Sequence, residues 1–315
     1  VQARSAVPSA DKLCQDSGWT AHGMCLLLHN SAKIRFTASD SGFSAKLKPP
    51  VTFSSLWVFS TMSFAIETCQ LTRVFGERKA VDAVDLKVEG GTFYGFLGPN
   101  GAGKSTTIKM LTGLLSPSHG TVMVLGLNML DHAESLEAKR HIGVVPENLA
   151  LFDNLTAHEY LTFIGRIHGL NRDVIRQRSD EMLSLLSLEQ ETKKLVLEYS
   201  HGMRKKLALA AALISNPKLL FLDEPFEGVD AVASLTIRDL LSSFVARGST
   251  VFLTSHVLEI VERLCTHVGI IMKGKLIQQC SMVDLHANGS LEQFFLDVTG
   301  SNRDQTPKLE WLEKS

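Results

Sequence analysis

The chain has 315 residues, which excludes small disulfide-stapled folds and peptides and allows one large domain or two ordinary ones. With 32 Lys and Arg against 33 Asp and Glu, a formal net charge of -1 and 44% hydrophobic residues, it reads as a globular chain rather than a disordered one. That balance gives no sign of a broad nucleic-acid-binding surface, and no nucleic-acid partner is expected.

Residues 1–61 stand apart. They carry six basic and three acidic side chains, leaving a net -4 for the rest of the chain. They are rich in Ser, Ala and Lys and show no sustained period of 2 or 3.6, so they read as a poorly ordered extension or a mistranslated leader with Met62 as the true start. The longest uncharged stretch, Pro49 to Ile66, is 18 residues long. It contains two prolines and six hydroxyl side chains, too polar for a membrane-spanning helix of about 20 apolar residues. The five cysteines have irregular spacings and no C-x-x-C, so neither a zinc site nor a disulfide framework is expected, and a reducing cytosol fits best.

From Met62 onward, short β-rich runs are separated by "GERK" and "EGG", which predicts strands joined by turns. "STTIKMLTGLL" carries Ile108, Leu111, Leu114 and Leu115 at helical spacing, "SPSHG" breaks it, and "TVMVLG" reads as a short buried strand. Residues 155–213 are helical in pattern throughout and read as an inserted helical subdomain. "KLLFLDEP" and "STVFLTSH" are two buried strands flanking an amphipathic helix, "SLTIRDLLSSFVARG". Strands alternating with helices predict an α/β fold with a mostly parallel sheet. The tail 301–315 is charged apart from Trp311 and suggests no function.

Gly98-Pro99-Asn100-Gly101-Ala102-Gly103-Lys104-Ser105 satisfies G-x-x-x-x-G-K-[ST] between a predicted strand and a predicted helix. Glycines let backbone N–H groups converge on phosphate oxygens, and the following helix turns the positive end of its dipole toward them. Lys104 is then expected on the β and γ phosphates and Ser105 on Mg²⁺. "LLFLDE" delivers two carboxylates to a strand end. Asp223 is expected to hold Mg²⁺ through water, and Glu224 to polarise the water that attacks the γ-phosphate. By itself such a pair also fits a solvated turn. His256 ends the second buried strand, within reach of the γ-phosphate or else as an ordinary surface residue. Asp230 in "EGVDA" reads as a helix N-cap.

Taken in order, "GPNGAGKST", "LLFLDEP", "GVDA" and "TSH" resemble the ATP-binding subunit of an ABC transporter, over roughly Ile66 to Gly300. The resemblance implies a P-loop NTPase fold of ABC type: a mostly parallel sheet core, an antiparallel β portion and the helical subdomain, all within an ATPase domain spanning 62–300. It adds Thr106 to the ATP-binding loop and implies that Phe75 stacks on adenine, although a core aromatic at a strand end reads similarly. "YSHGMRKKL" is similar to the family's signature sequence. Ser200 and Gly202 match it, whereas His201 stands where the family has Gly. The family's glutamine loop aligns with "GVVPENLALFDNLT", but with Glu147 in place of glutamine, either weakening ATP binding or adding a metal contact.

The resemblance further implies a head-to-tail dimer, with a second copy or a related ATPase subunit. Ser200, His201 and Gly202 of one copy and the phosphate loop of the other would sandwich each ATP, with Asp230 at the dimer contact. Such a subunit is cytoplasmic, peripheral on the inner face of the cell membrane, and hands its motion to a separate permease, here of exporter type. A soluble ABC-type ATPase acting on ribosomes or DNA is the alternative, but those carry two ATPase domains or long coiled coils. A small-molecule P-loop kinase has no need of the signature segment.

Overall fold

The computed structural model describes residues 64–299, without the side chains of 288, 298 and 299. The expectations for residues 1–61, for Met62 as a start and for the tail 301–315 therefore lie outside the described residues.

Two sheets form the body. The larger has six strands in the order β11-β10-β4-β9-β8-β7. They are β4 (Phe93–Leu97), β7 (Ile142–Val145), β8 (Leu219–Asp223), β9 (Thr250–Ser255), β10 (His267–Met272) and β11 (Lys275–Ser281). Five of these run parallel and β11 pairs antiparallel to β10. The second sheet is antiparallel in the order β2-β1-β5-β6, with β3 also paired to β1. Its strands are β1 (Phe64–Phe75), β2 (Arg78–Val84), β3 (Lys87–Glu89), β5 (His119–Val124) and β6 (Leu127–Asn128).

The central strands β4, β8 and β9 are buried at every position because both faces of the parallel sheet are covered. Successive side chains alternate between two cores. Leu220, Leu222, Val251 and Leu253 enter the core shared with the helices. Leu219, Phe221 and Phe252 enter the core facing the antiparallel sheet. There Phe252 stacks on Tyr94 with ring centroids 5.5 Å apart, and Phe221 and Phe96 tilt against it.

"TVMVLG" departs from its reading as a fully buried strand. β5 begins at His119 and buries only Val122 and Val124, because an antiparallel sheet covered on one face alternates. Gly120 is part of this strand rather than of the preceding break. Its φ of +89° and the carbonyl of Gln70, 2.4 Å from where a Cβ would stand, require glycine there.

Nine α-helices complete the described region: α1 (Lys104–Leu111), α2 (His132–Arg140), α3 (Ala157–Ile167), α4 (Arg172–Leu185), α5 (His201–Leu213), α6 (Ala231–Ala246), α7 (Leu258–Leu264), α8 (Met282–Asn288) and α9 (Leu291–Thr299). α3, α4 and α5 fall within 155–213 and pack through Leu161, Ile175, Leu183 and Leu207. α3 starts in a capping box: the Glu159 N–H donates to Thr156 Oγ1, while the Thr156 N–H donates to Glu159 Oε2. Among the described residues no helix is long and apolar enough to cross a membrane.

Candidate functional site

β4 ends at Leu97, and residues 98–103 loop over to α1. The loop closes tightly against its surroundings: a Cβ on Gly98 would stand 2.3 Å from the Ile271 carbonyl oxygen, so only glycine fits. Gly103, at φ +115°, is the residue from which α1 departs. The side chain of Lys104 is buried and turns back under the loop, donating from Nζ to the Gly98 carbonyl at 2.7 Å and to that of Pro99 at 3.4 Å. The next residue, Ser105, donates to Glu147 Oε2 at 3.5 Å, so the loop that follows β7 reaches the start of α1.

β8 and β9 are parallel neighbours, with Asp223 opposite Thr254. This register brings the second half of the site into place. Thr254 Oγ1 donates to Asp223 Oδ1 and accepts from the Glu224 N–H at 3.2 Å, so one buried hydroxyl links two carboxylate residues. Glu224 follows the strand with φ +50°, a left-handed conformation uncommon outside glycine. Its carboxylate is nearly buried. Oε2 lies 3.0 Å from His256 Nδ1, and Oε1 lies 3.9 Å from Lys104 Nζ. A buried carboxylate held between an imidazole and an ammonium is fixed in position beside the glycine-rich loop, where it can accept a proton from a molecule in the cavity.

These groups line one cavity of about 460 Å³. Phe75, Asn100, Gly101, Gly103, Lys104, Ser105, Thr106, Glu147, Asp223, Glu224 and His256 all border it. Gly98 and Ala102 are buried in the body of the loop, and Pro99 faces outward. Phe75 is 48% exposed, so it is not the core aromatic that its β-rich context also allowed. The Arg73 guanidinium lies 4.7 Å from its ring centroid, a cation–π contact.

Ser200, His201, Gly202 and Asp230 do not border this cavity. Ser200 caps α5, accepting from the Met203 N–H at 3.3 Å. Asp230 caps α6, accepting from the Ala233 N–H at 2.8 Å. That hydrogen bond is the main reason its carboxyl is held below the ordinary range, and Lys206 at 3.8 Å adds to it. The two caps are neighbours: a Cβ on Gly202 would stand 2.9 Å from the Gly228 carbonyl oxygen, and the His201 ring packs over Gly228.

Five contributors have no assignment from the sequence. Arg78, Ala80 and Glu227 border the cavity, and Thr254 bridges the two carboxylates from β9. Lys205 is 2% exposed, and its Nζ donates to the Glu224 carbonyl at 2.6 Å. Burial lowers the pKa of Lys205, against the opposing pull of Glu227 and Glu224. Its only sequence signal is a run of three basic residues, Arg204-Lys205-Lys206, which reads as a solvated helix face.

Comparison with known proteins agrees with this architecture. The sequence profile of the ABC transporter family matches residues 81–227. The bacitracin transport ATP-binding protein BcrA of Bacillus licheniformis is 42% identical over 219 residues, covering 69% of this chain and 70% of that protein. The daunorubicin/doxorubicin resistance ATP-binding protein DrrA of Streptomyces peucetius is 37% identical over 224 residues, covering 71% of this chain and 67% of that protein. A solved structure described as the ATP-binding subunit of an ABC transporter superposes with a TM-score of 0.70 at 27% identity, over 75% of this chain and 99% of its own. The chain therefore belongs to the ABC transporter family, as one of its ATP-binding and ATP-hydrolysing subunits.

Proposed function

We propose that two such subunits, copies of this chain or one copy with a related subunit, close around ATP and power a separate membrane permease of exporter type. The observation that carries this reading is the division of the site. Lys104, Glu224 and His256 converge on one cavity, whereas Ser200, His201 and Gly202 border none of it and cap a different surface. A signature segment that cannot reach its own phosphate loop serves a partner's, and a two-fold arrangement supplies two equivalent composite sites.

In this reading the loop from Gly98 to Thr106 cradles the triphosphate and Phe75 stacks on the adenine. Lys104 leaves the loop carbonyls for the β and γ phosphates. Glu224 takes the proton of the attacking water, and His256, hydrogen-bonded to it, fixes the carboxylate and contacts the γ-phosphate. Asp230 lies at the dimer contact. An all-oxygen donor set of the Ser105 hydroxyl and the Asp223 and Glu147 carboxylates suits a hard cation. Mg²⁺ at such a site keeps much of its coordination to phosphate oxygens and water. Bound there, Mg²⁺ neutralises charge on the β and γ phosphates.

The ATPase domain is assigned to 62–300 and its helical subdomain to 155–213. Between that subdomain and the sheet runs a groove of about 350 Å³, lined by Leu114, Ile142, Leu149, Leu151, Tyr160 and Ile164. We assign it to a segment of the permease, with the subunit cytoplasmic and peripheral on the inner membrane face. The names of the relatives support export: one serves bacitracin transport, one daunorubicin and doxorubicin resistance, and a further protein, from Cupriavidus metallidurans and 38% identical, Nod factor export.

The test is Glu224→Gln. Turnover is expected to fall by about two to four orders of magnitude, the range for loss of a general base, while ATP still binds and dimers accumulate in size-exclusion chromatography. Undiminished hydrolysis overturns the assignment of Glu224, and a strictly monomeric ATP-bound variant overturns the composite site.

A further inference from the structure

Glu224 holds a left-handed backbone conformation that is strained for a non-glycine residue and persists only where its surroundings impose it. Both of its backbone polar groups are pinned. The N–H donates to the backbone and side-chain oxygens of Thr254, at 3.3 Å and 3.2 Å, from the adjacent strand of the same sheet. The carbonyl accepts from Lys205 Nζ at 2.6 Å. Lys205 belongs to a different part of the fold. It lies in the second turn of α5, the helix whose first turn carries Ser200, His201 and Gly202.

A helix turns about 100° per residue, so three consecutive side chains fan out toward three different neighbours. Arg204 pairs with Asp153, Lys205 donates to Glu224 and lies 3.7 Å from Glu227, and Lys206 lies 3.8 Å from Asp230. The outer two pairs are partly solvated and contribute little individually. Lys205 is different: a buried ammonium is costly unless its donors are satisfied, and here its closest acceptor is the carbonyl of the strained residue.

We propose that Lys205 is a positioning residue for ATP hydrolysis: it ties α5 to the backbone of Glu224, fixing the left-handed turn that aims the carboxylate at the attacking water. The inference rests on the reading of Glu224 as general base.

The experiment measures steady-state ATPase activity and ATP affinity of the full chain for Lys205→Met, Lys205→Arg, Glu224→Gln and the Lys205→Met/Glu224→Gln double variant. Misaiming a reacting group costs up to about a hundredfold, so kcat of Lys205→Met is expected to fall about ten- to hundredfold while ATP affinity stays within about twofold. Lys205→Arg, which keeps a cationic donor, recovers most of the loss. On the Glu224→Gln background the Met substitution adds no further loss, because both act on one step. Lys205→Gln, a shorter neutral donor, replaces the Met variant if the latter does not fold, with a smaller loss of kcat expected.

If Glu224→Gln is inactive but Lys205→Met turns over normally, the base assignment stands and the role of Lys205 is overturned. A loss that appears equally in ATP affinity, or that adds fully in the double variant, shows a merely structural lysine and also overturns it. Full turnover by Glu224→Gln overturns both readings.

Discussion

Glu224 and His256 meet at 3.0 Å, Oε2 to Nδ1, although one follows β8 and the other follows β9. The parallel register of these strands sets Asp223 beside Thr254, so the residues just beyond the strand ends face each other over the phosphate loop. The imidazole is half exposed and contributes little to the core, whereas the carboxylate it touches is nearly buried. His256→Ala is therefore expected to leave the melting temperature nearly unchanged while lowering kcat by up to about a hundredfold, the scale for losing a group that holds a reacting carboxylate in place. ATPase assays paired with thermal melts measure both effects, and an active variant refutes the role of His256.

Thr254 is fully buried, and one hydroxyl serves both Asp223 and Glu224. Thr254→Val keeps the shape and removes both hydrogen bonds, leaving the Asp223 carboxylate without that donor. Stability is expected to fall by about 1–3 kcal/mol, the cost of an unsatisfied buried polar group, with kcat falling as well. Urea unfolding checks the first effect. Thr254→Ser, which retains the hydroxyl, recovers the activity.

Phe75 has an exposed ring, in contact with Arg73, at the edge of the cavity. Base–aromatic stacking contributes about 1–3 kcal/mol, so Phe75→Ala is expected to weaken ATP binding about five- to hundredfold. Phe75→Tyr keeps the π face and retains the affinity. Because the ring is outside the core, neither change shifts the melting temperature. Titration with a fluorescent ATP analogue is the measurement, and an Ala variant with native affinity removes Phe75 from the nucleotide site.

His168 follows α3 at the edge of the apolar groove, and burial lowers its pKa below the ordinary 6.5. Its folded-state pKa thus lies below its unfolded one. Protonation favours unfolding: stability is greatest above 6.5, declines as pH falls through 6.5 toward the folded-state value, and levels off below it. His168→Gln is expected to flatten this segment of the pH profile, as read from urea midpoints between about pH 7.5 and 5. A profile identical to that of the unsubstituted chain assigns the acid sensitivity elsewhere.

Much of this site was legible from local spacing. The phosphate loop and its flanking elements are contiguous in sequence, although the demand for glycine at Gly98 and Gly103 comes from distant backbone, the carbonyls of Ile271 and Ala80. The buried parallel strands announce themselves as unbroken apolar runs because both of their faces are covered. β5 was read as buried because a short apolar segment does not reveal that only one of its faces meets a core.

The sequence by itself therefore determined the elements and the chemical groups: a glycine-rich turn between strand and helix, two strands ending in Asp223–Glu224 and His256, and a cap at Asp230. Tertiary structure alone decided which of them act together. Register between β8 and β9 joins Glu224 to His256, while Ser200, His201 and Gly202 are kept out of the cavity that holds Lys104. The Arg204-Lys205-Lys206 run looks solvated in one dimension, yet Lys205 is buried against Glu224, because the direction of a helical side chain depends on what the rest of the chain packs around it.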